Sequence, residues 1–386
     1  MGLAYSYNNL GRLLSSLGKR EDARAEYEQA RTILKKLADS FPAQPKCQVA
    51  LATTHNNLGL LLRELGKREQ ARVECELALG IRKAVANAFP ALPDYQNELA
   101  KSHNSLGVLL ADLGEREEAS TEYRRAQVIQ KKLADSFPKV PQYRQDLAST
   151  HNNLGLLLDR MSQRDAAHVE FKAALDIKQQ LAASSPDVPE YGVQLAGSYC
   201  NFGNLIRRDG KPADSLQWFE KAIQTLKPIH EHDERGHLPR QFLRSAHSSR
   251  AKAHDELKMY AEAMRDWDRA VQLAGPKEQL MLRSQRAFSY FWAGRVADAI
   301  IEIGDLTKLS IWNGSQWYHF SYIYAVASTK VADKKQEYAD RAMEMLQKAV
   351  RAGFKDTTLM AKDENFDPLR EREDFKKLLE SLKRPK

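Results

Sequence analysis

Small, large and polar positions alternate along this chain in a pattern that returns every 48 residues. A small residue (Ala23, Ala71, Ala119, Ala167, Ser215) is followed four positions on by a large one (Tyr27, Cys75, Tyr123, Phe171, Phe219). Three positions later comes alanine again: Ala30, Ala78, Ala126, Ala174 and Ala222. Steps of three and four place these residues on one face of a helix. Upstream of each set, a glycine follows leucine or phenylalanine at Gly11, Gly59, Gly107, Gly155 and Gly203. A second glycine seven residues on (Gly18, Gly66, Gly114, Gly210, with Ser162 in the fourth unit) marks where the first helix must close, because glycine accepts the left-handed conformation of a helix end. Each unit therefore predicts a hairpin of helix A and helix B. A fixed period of this length signals a stacked-repeat solenoid.

Pro42, Pro90, Pro138 and Pro186 each precede another proline by three residues. The first breaks helix B, and the second suits the opening turn of the next helix A. Past residue 227 the register weakens. Ala251, Ala263, Trp267 and Ala270 predict a sixth hairpin over 240–274, and the polar run Pro228 to His237 before it reads as a loop. A seventh hairpin is expected over 277–309, with Ala287, Gly294 and Ala299 as landmarks, and a degenerate eighth over 315–329 and 335–351. The expected organisation is five long repeats over 1–227, a loop over 228–239, three divergent hairpins over 240–351 and a closing segment over 352–386 with a polar outer face.

Tyr7, Leu10, Gly11, Leu14, Ala23 and Tyr27 follow an order that resembles the tetratricopeptide repeat: aromatic, Leu-Gly, large, then Ala and aromatic. The later units repeat it. The resemblance implies an all-α fold, a right-handed superhelical α-solenoid of TPR-like helical hairpins. The units depart from the usual period of about 34, and the surplus falls in Lys35-Lys-Leu-Ala-Asp-Ser-Phe-Pro42 and its copies. They are similar in this to the long repeats of kinesin light chain. The tail from Asp363 to Phe375 resembles the closing segments of bacterial TPR proteins, including those in which a serine/threonine kinase domain precedes the repeats.

Composition narrows the class. No run reaches the roughly 18 apolar residues of a membrane span, and a secretory leader pattern is missing from the start. Three scattered cysteines, Cys47, Cys75 and Cys200, fit a reducing compartment, so a cytoplasmic location is expected. Lys+Arg at 59 against Asp+Glu at 51 describes a mixed, solvated surface and not the basic stripe of a nucleic-acid binder. Unit one begins only six residues before Tyr7, without the leading half of helix A. The expectation is a truncated first repeat with uncovered apolar surface, and hence end-to-end self-association or fraying.

Catalytic signals fail one by one. The Gly-Lys-Arg ends of Gly11 to Lys19 and Gly59 to Lys67 have six residues between glycines and arginine after the lysine, which a phosphate loop does not tolerate. Neither a His-Arg-Asp nor an Asp-Phe-Gly kinase motif occurs. His55, His103 and His151 belong to different repeats, too far apart to share a metal, and are expected to pack on the apolar face. His230, His232 and His237 read as a solvated loop, and Trp312, Trp317, Tyr318, Phe320, Tyr322 and Tyr324 as core, with a peptide pocket as the other reading. The N-terminal Met1-Gly-Leu-Ala-Tyr-Ser6 fits a myristoylation pattern that the repeat itself already explains. No cofactor is expected.

The remaining signal is a stripe on helix A that avoids the packing positions: Tyr5, Asn9, Arg12 and Ser16 in unit one, with Asn57, Asn153 and Asn201 as copies of Asn9. The resemblance implies that helix A lines the concave surface. An amide donates and accepts at once, so a row of them can pair with the backbone of an extended peptide; the other reading is an asparagine bonded to a neighbouring helix. Arg160 and Arg208 add a bias toward acidic segments. The expected function is a non-catalytic scaffold that binds a protein or peptide in its groove through Asn9, Asn57, Asn153, Asn201, Arg12, Arg160 and Arg208. The alternative is a detached regulatory arm of a bacterial serine/threonine kinase.

Overall fold

The computed structural model of the protein describes residues 1–233 and 236–383, and these are helical with no strand. Four hairpins come first: α1 (Gly2–Ser16) with α2 (Arg20–Ser40), α3 (Pro45–Glu64) with α4 (Arg68–Ala88), α5 (Pro93–Leu113) with α6 (Arg116–Ser136), and α7 (Pro141–Arg160) with α8 (Arg164–Ser184). Then follow α9 (Pro189–Arg208) and α10 (Pro212–His232), α11 (His237–Glu256) and α12 (Tyr260–Leu273), α13 (Pro276–Trp292) and α14 (Val296–Leu306), and α15 (Gly314–Lys330) and α16 (Lys335–Arg351). The short α17 (Thr357–Lys362), a 3-10 segment Glu364–Leu369 and α18 (Glu373–Lys383) end the chain's described part. The architecture is an all-α solenoid. Two compact units divide within α9, Met1–Leu205 and Ile206–Lys386.

Helix ends follow from the residues the repeat places there. After α1, Gly18 takes φ 77°, and the amides of Gly18 and Lys19 bond the carbonyls of Ser15 and Leu14 at 2.9 Å each. That double bond from beyond the helix end is the Schellman closure. Ser162 and Gln163 make the same two bonds with Ser162 at φ 60° and without glycine's freedom, as do Lys258 and Met259 after α11. Helix B stops at Ser40, Ala88 and Ser136 because the residue preceding a proline is pushed out of the helical region. Pro45, Pro93 and Pro141 then open the next helix A.

Inside each hairpin of the first unit the Leu-Gly glycine lets helix A approach helix B. A Cβ on Gly107 would lie 2.8 Å from the Tyr123 ring, and one on Gly59 2.7 Å from Cys75 Sγ. Around these contacts Tyr27, Leu58, Leu61, Leu106, Leu109, Leu154 and Phe171 form one continuous core. The 14 extra residues per repeat have cores of their own. Leu34, Ala38, Cys47 and Leu51 form one, and Leu133, Ala134, Tyr143 and Leu147 another. Edge-to-face pairs at 5.7 Å (Phe89 with Tyr95) and 5.9 Å (Phe137 with Tyr143) pin the proline corners.

Successive A helices touch one another (α1 with α3, α3 with α5, α5 with α7), and each B helix packs on the following A helix. The A helices therefore form the tighter, concave side of the first unit. On α1, Leu3, Leu10 and Leu13 stay 61%, 42% and 55% exposed, whereas their copies Leu51, Leu58 and Leu61 are buried.

In the second unit, the six aromatics from Trp312 to Tyr324 are buried in a core shared with Leu346, Phe366, Leu369 and Phe375. The closing segment thus packs its apolar side inward. The loop expected over Pro228 to His237 is corrected: α10 runs through Pro228 to His232 and α11 starts at His237, with Glu234 and Arg235 outside the described residues. Pro228 is exposed, while Ile229 and His230 next to it are half-buried. The last turn keeps one half-buried edge, while Glu231, His232 and Asp233 are exposed.

Candidate functional site

On the concave side of the first unit, Tyr5, Asn9 and Arg12 of α1 and Thr53 and Asn57 of α3 border one cavity of about 470 Å³, closed by Asp94, Tyr95 and Glu98 of α5. The helical spacing that set the stripe apart brings Asn9, Arg12 and Asn57 together here. Asn153 and Asn201 lie further along the same helix layer, and Arg160 is exposed at the end of α7. Arg208 falls in the second unit.

The asparagines do two different things. Asn153 Nδ2 donates to Asn104 Oδ1 at 3.1 Å, and Asn201 Nδ2 to Asn152 Oδ1 at 2.7 Å. Each is a rung between one helix A and the helix A before it. Ser105 stands where the preceding rung would begin, and Asn56 Oδ1 is left buried with no partner. At the first position Asn8 turns its Nδ2 to Thr54 Oγ1 at 2.8 Å, and its Oδ1 is buried and unpaired. Asn9 and Asn57 make no side-chain hydrogen bond among the described residues. Buried polar atoms are nearly always satisfied, so the cavity is where this amide ladder stays open.

Beneath the cavity floor lies a buried cation. Arg82 of α4 reaches into the A layer, donating to Ser102 Oγ at 2.9 Å and Thr53 Oγ1 at 3.1 Å and pairing with Glu98 at 2.7 Å. Burial lowers its pKa, and the charge of Glu98 acts against that. Lys101 also lies 3.3 Å from Glu98, so this carboxylate is neutralised twice. Two repeats on, Lys178 holds the position of Arg82 with Ser198 Oγ, at 2.9 Å, as its only partner among the described residues. Its burial pushes the ammonium down to about 8.

The histidines are corrected in role. They do lie between helices A and B, but as half of a polar pair and not as apolar packing. Nδ1 of His55, His103 and His151 lies 2.5, 2.5 and 2.6 Å from Glu74, Glu122 and Glu170. His247 pairs with Asp266 at 2.7 Å, and Arg283 with Glu302 at 2.5 Å. Burial works against the charge of Glu122, yet His103 and Arg125 more than offset it and hold its pKa below the ordinary range. The same balance, struck by His151 and Gln127, lowers Glu170. The signal was in the sequence: an acid recurs 19 positions after each of these residues, with the period of the repeat.

A larger cavity of about 750 Å³ lies between α2 and α4 over α3, lined by Lys35, Lys36, His55, Glu74 and Leu77 among others. At its base Glu74 holds both Arg31 at 2.6 Å and His55, while Lys35, Lys36, Asp39 and Gln48 line it without an ion pair or side-chain hydrogen bond among the described residues. The concave cavity differs in being lined by repeated asparagines, at Asn8, Asn9 and Asn57. Among the described residues no three His, Cys, Asp or Glu side chains converge to hold a metal, and no helix is long and apolar enough to cross a membrane.

The family model described as tetratricopeptide repeat matches residues 3–42 and 51–91. No curated protein matches the chain significantly. Among solved structures, the crystal structure of BtubC (BKLC) from P. vanneervenii is similar at 18% identity, over 66% of this chain and 90% of that one, with a TM-score of 0.51. The apo form of RapI is similar at 13% identity, over 94% of this chain and 99% of that one, with a TM-score of 0.59. Those two likenesses concern the fold. The matched segments show tetratricopeptide repeats over residues 3–42 and 51–91, and the two solved structures share the all-α fold into which the 48-residue hairpins are built.

Proposed function

We propose that the chain is a non-catalytic interaction scaffold that holds a protein or peptide segment on the concave side of its first unit, in the cavity between α1, α3 and α5. One observation carries this reading: the amide ladder closes on itself at Asn153 and Asn201, and stays open at Asn8, Asn9 and Asn57. An extended backbone supplies the missing donors and acceptors whatever its side chains. Arg12 and Arg160 make no ion pair among the described residues, which favours a segment carrying acidic groups.

The test is affinity for a peptide selected from a random display library on the purified protein. Changing Asn9 and Asn57 together to alanine removes two hydrogen bonds of roughly 0.5–1.5 kcal/mol each, so binding weakens about five-fold to a hundred-fold with melting unchanged. Asn153→Ala breaks a rung and lowers stability instead. A selected peptide that binds the double variant as well as the parent overturns the reading.

A further inference from the structure

We propose that the outer groove between α2 and α4 is a binding site for a small amphiphilic anion, an apolar body that carries one carboxylate. Because the A helices form the tighter side of the first unit, α2 and α4 stand further apart and leave a cavity of about 750 Å³ over α3. That volume suits a small molecule. Helical spacing gives its two walls unlike chemistry. Arg31 and Lys35, four apart on α2, line it together with Lys36, and Leu77 and Ile81, four apart on α4, line it from the other side. Leu77 is 47% exposed, so apolar surface is left in water there. Beneath it the buried Ala38 and Leu51 continue the apolar lining into the local core, against which Ile81 also packs.

Charge sets the class of occupant. Arg31 and Glu74 neutralise one another at 2.6 Å. Lys35, Lys36 and Asp39 make no ion pair among the described residues, which leaves one positive charge in surplus. A monoanion meets that surplus, and an apolar tail covers Leu77 and Ile81. The copies of this groove lack the combination. In the next one Ala84 stands in place of Lys36 and Arg125 in place of Leu77, with Arg125 held by Glu122. One repeat further, Ala173 stands in place of Leu77, and Lys131 is taken by Asp135 at 3.1 Å. The apolar rim is therefore confined to one groove and interrupted by Arg125, which favours a small molecule over a helix laid along the stack. The site shares no residue with the concave cavity, so the two proposals stand or fall separately.

The experiment is calorimetric titration of the full chain at neutral pH with octanoate, octan-1-ol and octylammonium, three probes that share one tail and differ in charge. Octanoate is expected to saturate one site about five-fold more tightly than octan-1-ol, the gain of two partly exposed ion pairs, with octylammonium the weakest. Added salt narrows the gap between octanoate and octan-1-ol. Changing Lys35 and Lys36 together to alanine abolishes that gap, and Leu77→Ser weakens octanoate and octan-1-ol alike by about three-fold, with melting unchanged in both variants. Octan-1-ol binding as tightly as octanoate, an octanoate affinity that both variants leave intact, or no saturable binding at millimolar concentration would each overturn the proposal. So would an acidic amphipathic helical peptide that binds about ten-fold tighter than octanoate and loses its affinity in the same variants, since the groove would then belong to a protein partner.

Discussion

Lys178 shows most directly how one residue can act against the rest of its repeat. Leu34 and Leu226 fill the equivalent position, both fully buried, whereas Lys178 places an ammonium there with a single hydroxyl as partner. Its folded pKa of about 8 lies below the ordinary lysine value of roughly 10.4. Between those values the unfolded chain binds more protons, so stability rises as pH rises from about 8. Below that window the folded protein carries the full cost of the buried charge. Lys178→Leu is expected to raise stability at pH 7 by on the order of 2 kcal/mol and to flatten this part of the pH dependence. Urea unfolding at pH 7 and at about pH 10 checks it; a less stable variant at pH 7 would show that the bond to Ser198 outweighs the buried charge. The repeat period lines up Arg82, Gln130 and Lys178 with Leu34 and Leu226, an alignment that becomes meaningful only when burial is known.

At the scale of elements, the two turns without glycine are the weak closures. Ser162 and Lys258 hold φ 60°, where a side chain costs roughly 1–2 kcal/mol relative to glycine. Ser162→Gly and Lys258→Gly should each stabilise by about 1 kcal/mol, offset in part by glycine's freedom in the unfolded chain. Thermal melts of the single and double variants measure this, and a lower melting temperature for both would contradict it. These hairpins were legible in the sequence because turn glycines, proline pairs and small-large spacing act locally. The end of α10 was not: Pro228 and the polar residues after it favour a break by every local rule, yet the helix runs to His232 with Ile229 and His230 half-buried. The histidine pairs were missed for a similar reason. His55 sits in the aromatic place of the repeat, and the acid that recurs 19 positions on gains its meaning when the hairpin brings Glu74 against it.

For the whole molecule, the repeat makes differences between copies informative. Nearly identical hairpins would give identical inner faces, yet the amide ladder closes at Asn153 and Asn201 and opens at Asn57. The sequence placed all four asparagines on one stripe and could not separate rungs from open groups, because that depends on which neighbour lies across the helix layer. Leu10 and Leu13 of α1 are exposed where their copies Leu58 and Leu61 are buried. If Leu10 and Leu13 mediate association of copies, changing both to serine should lower the sedimentation coefficient at high concentration; an unchanged, concentration-independent value would count against it.

The central claim is that partners seat in the concave cavity of the first unit. Photo-crosslinking tests it most directly, with a benzophenone amino acid replacing Tyr5 at the cavity rim or Val128, which is 72% exposed on α6, as the control position. The account predicts crosslinking of a display-selected peptide from position 5, lost when Asn57 is changed to alanine, with little from position 128. Equal yields from the two positions, or a yield from position 5 that Asn57→Ala leaves intact, would contradict it.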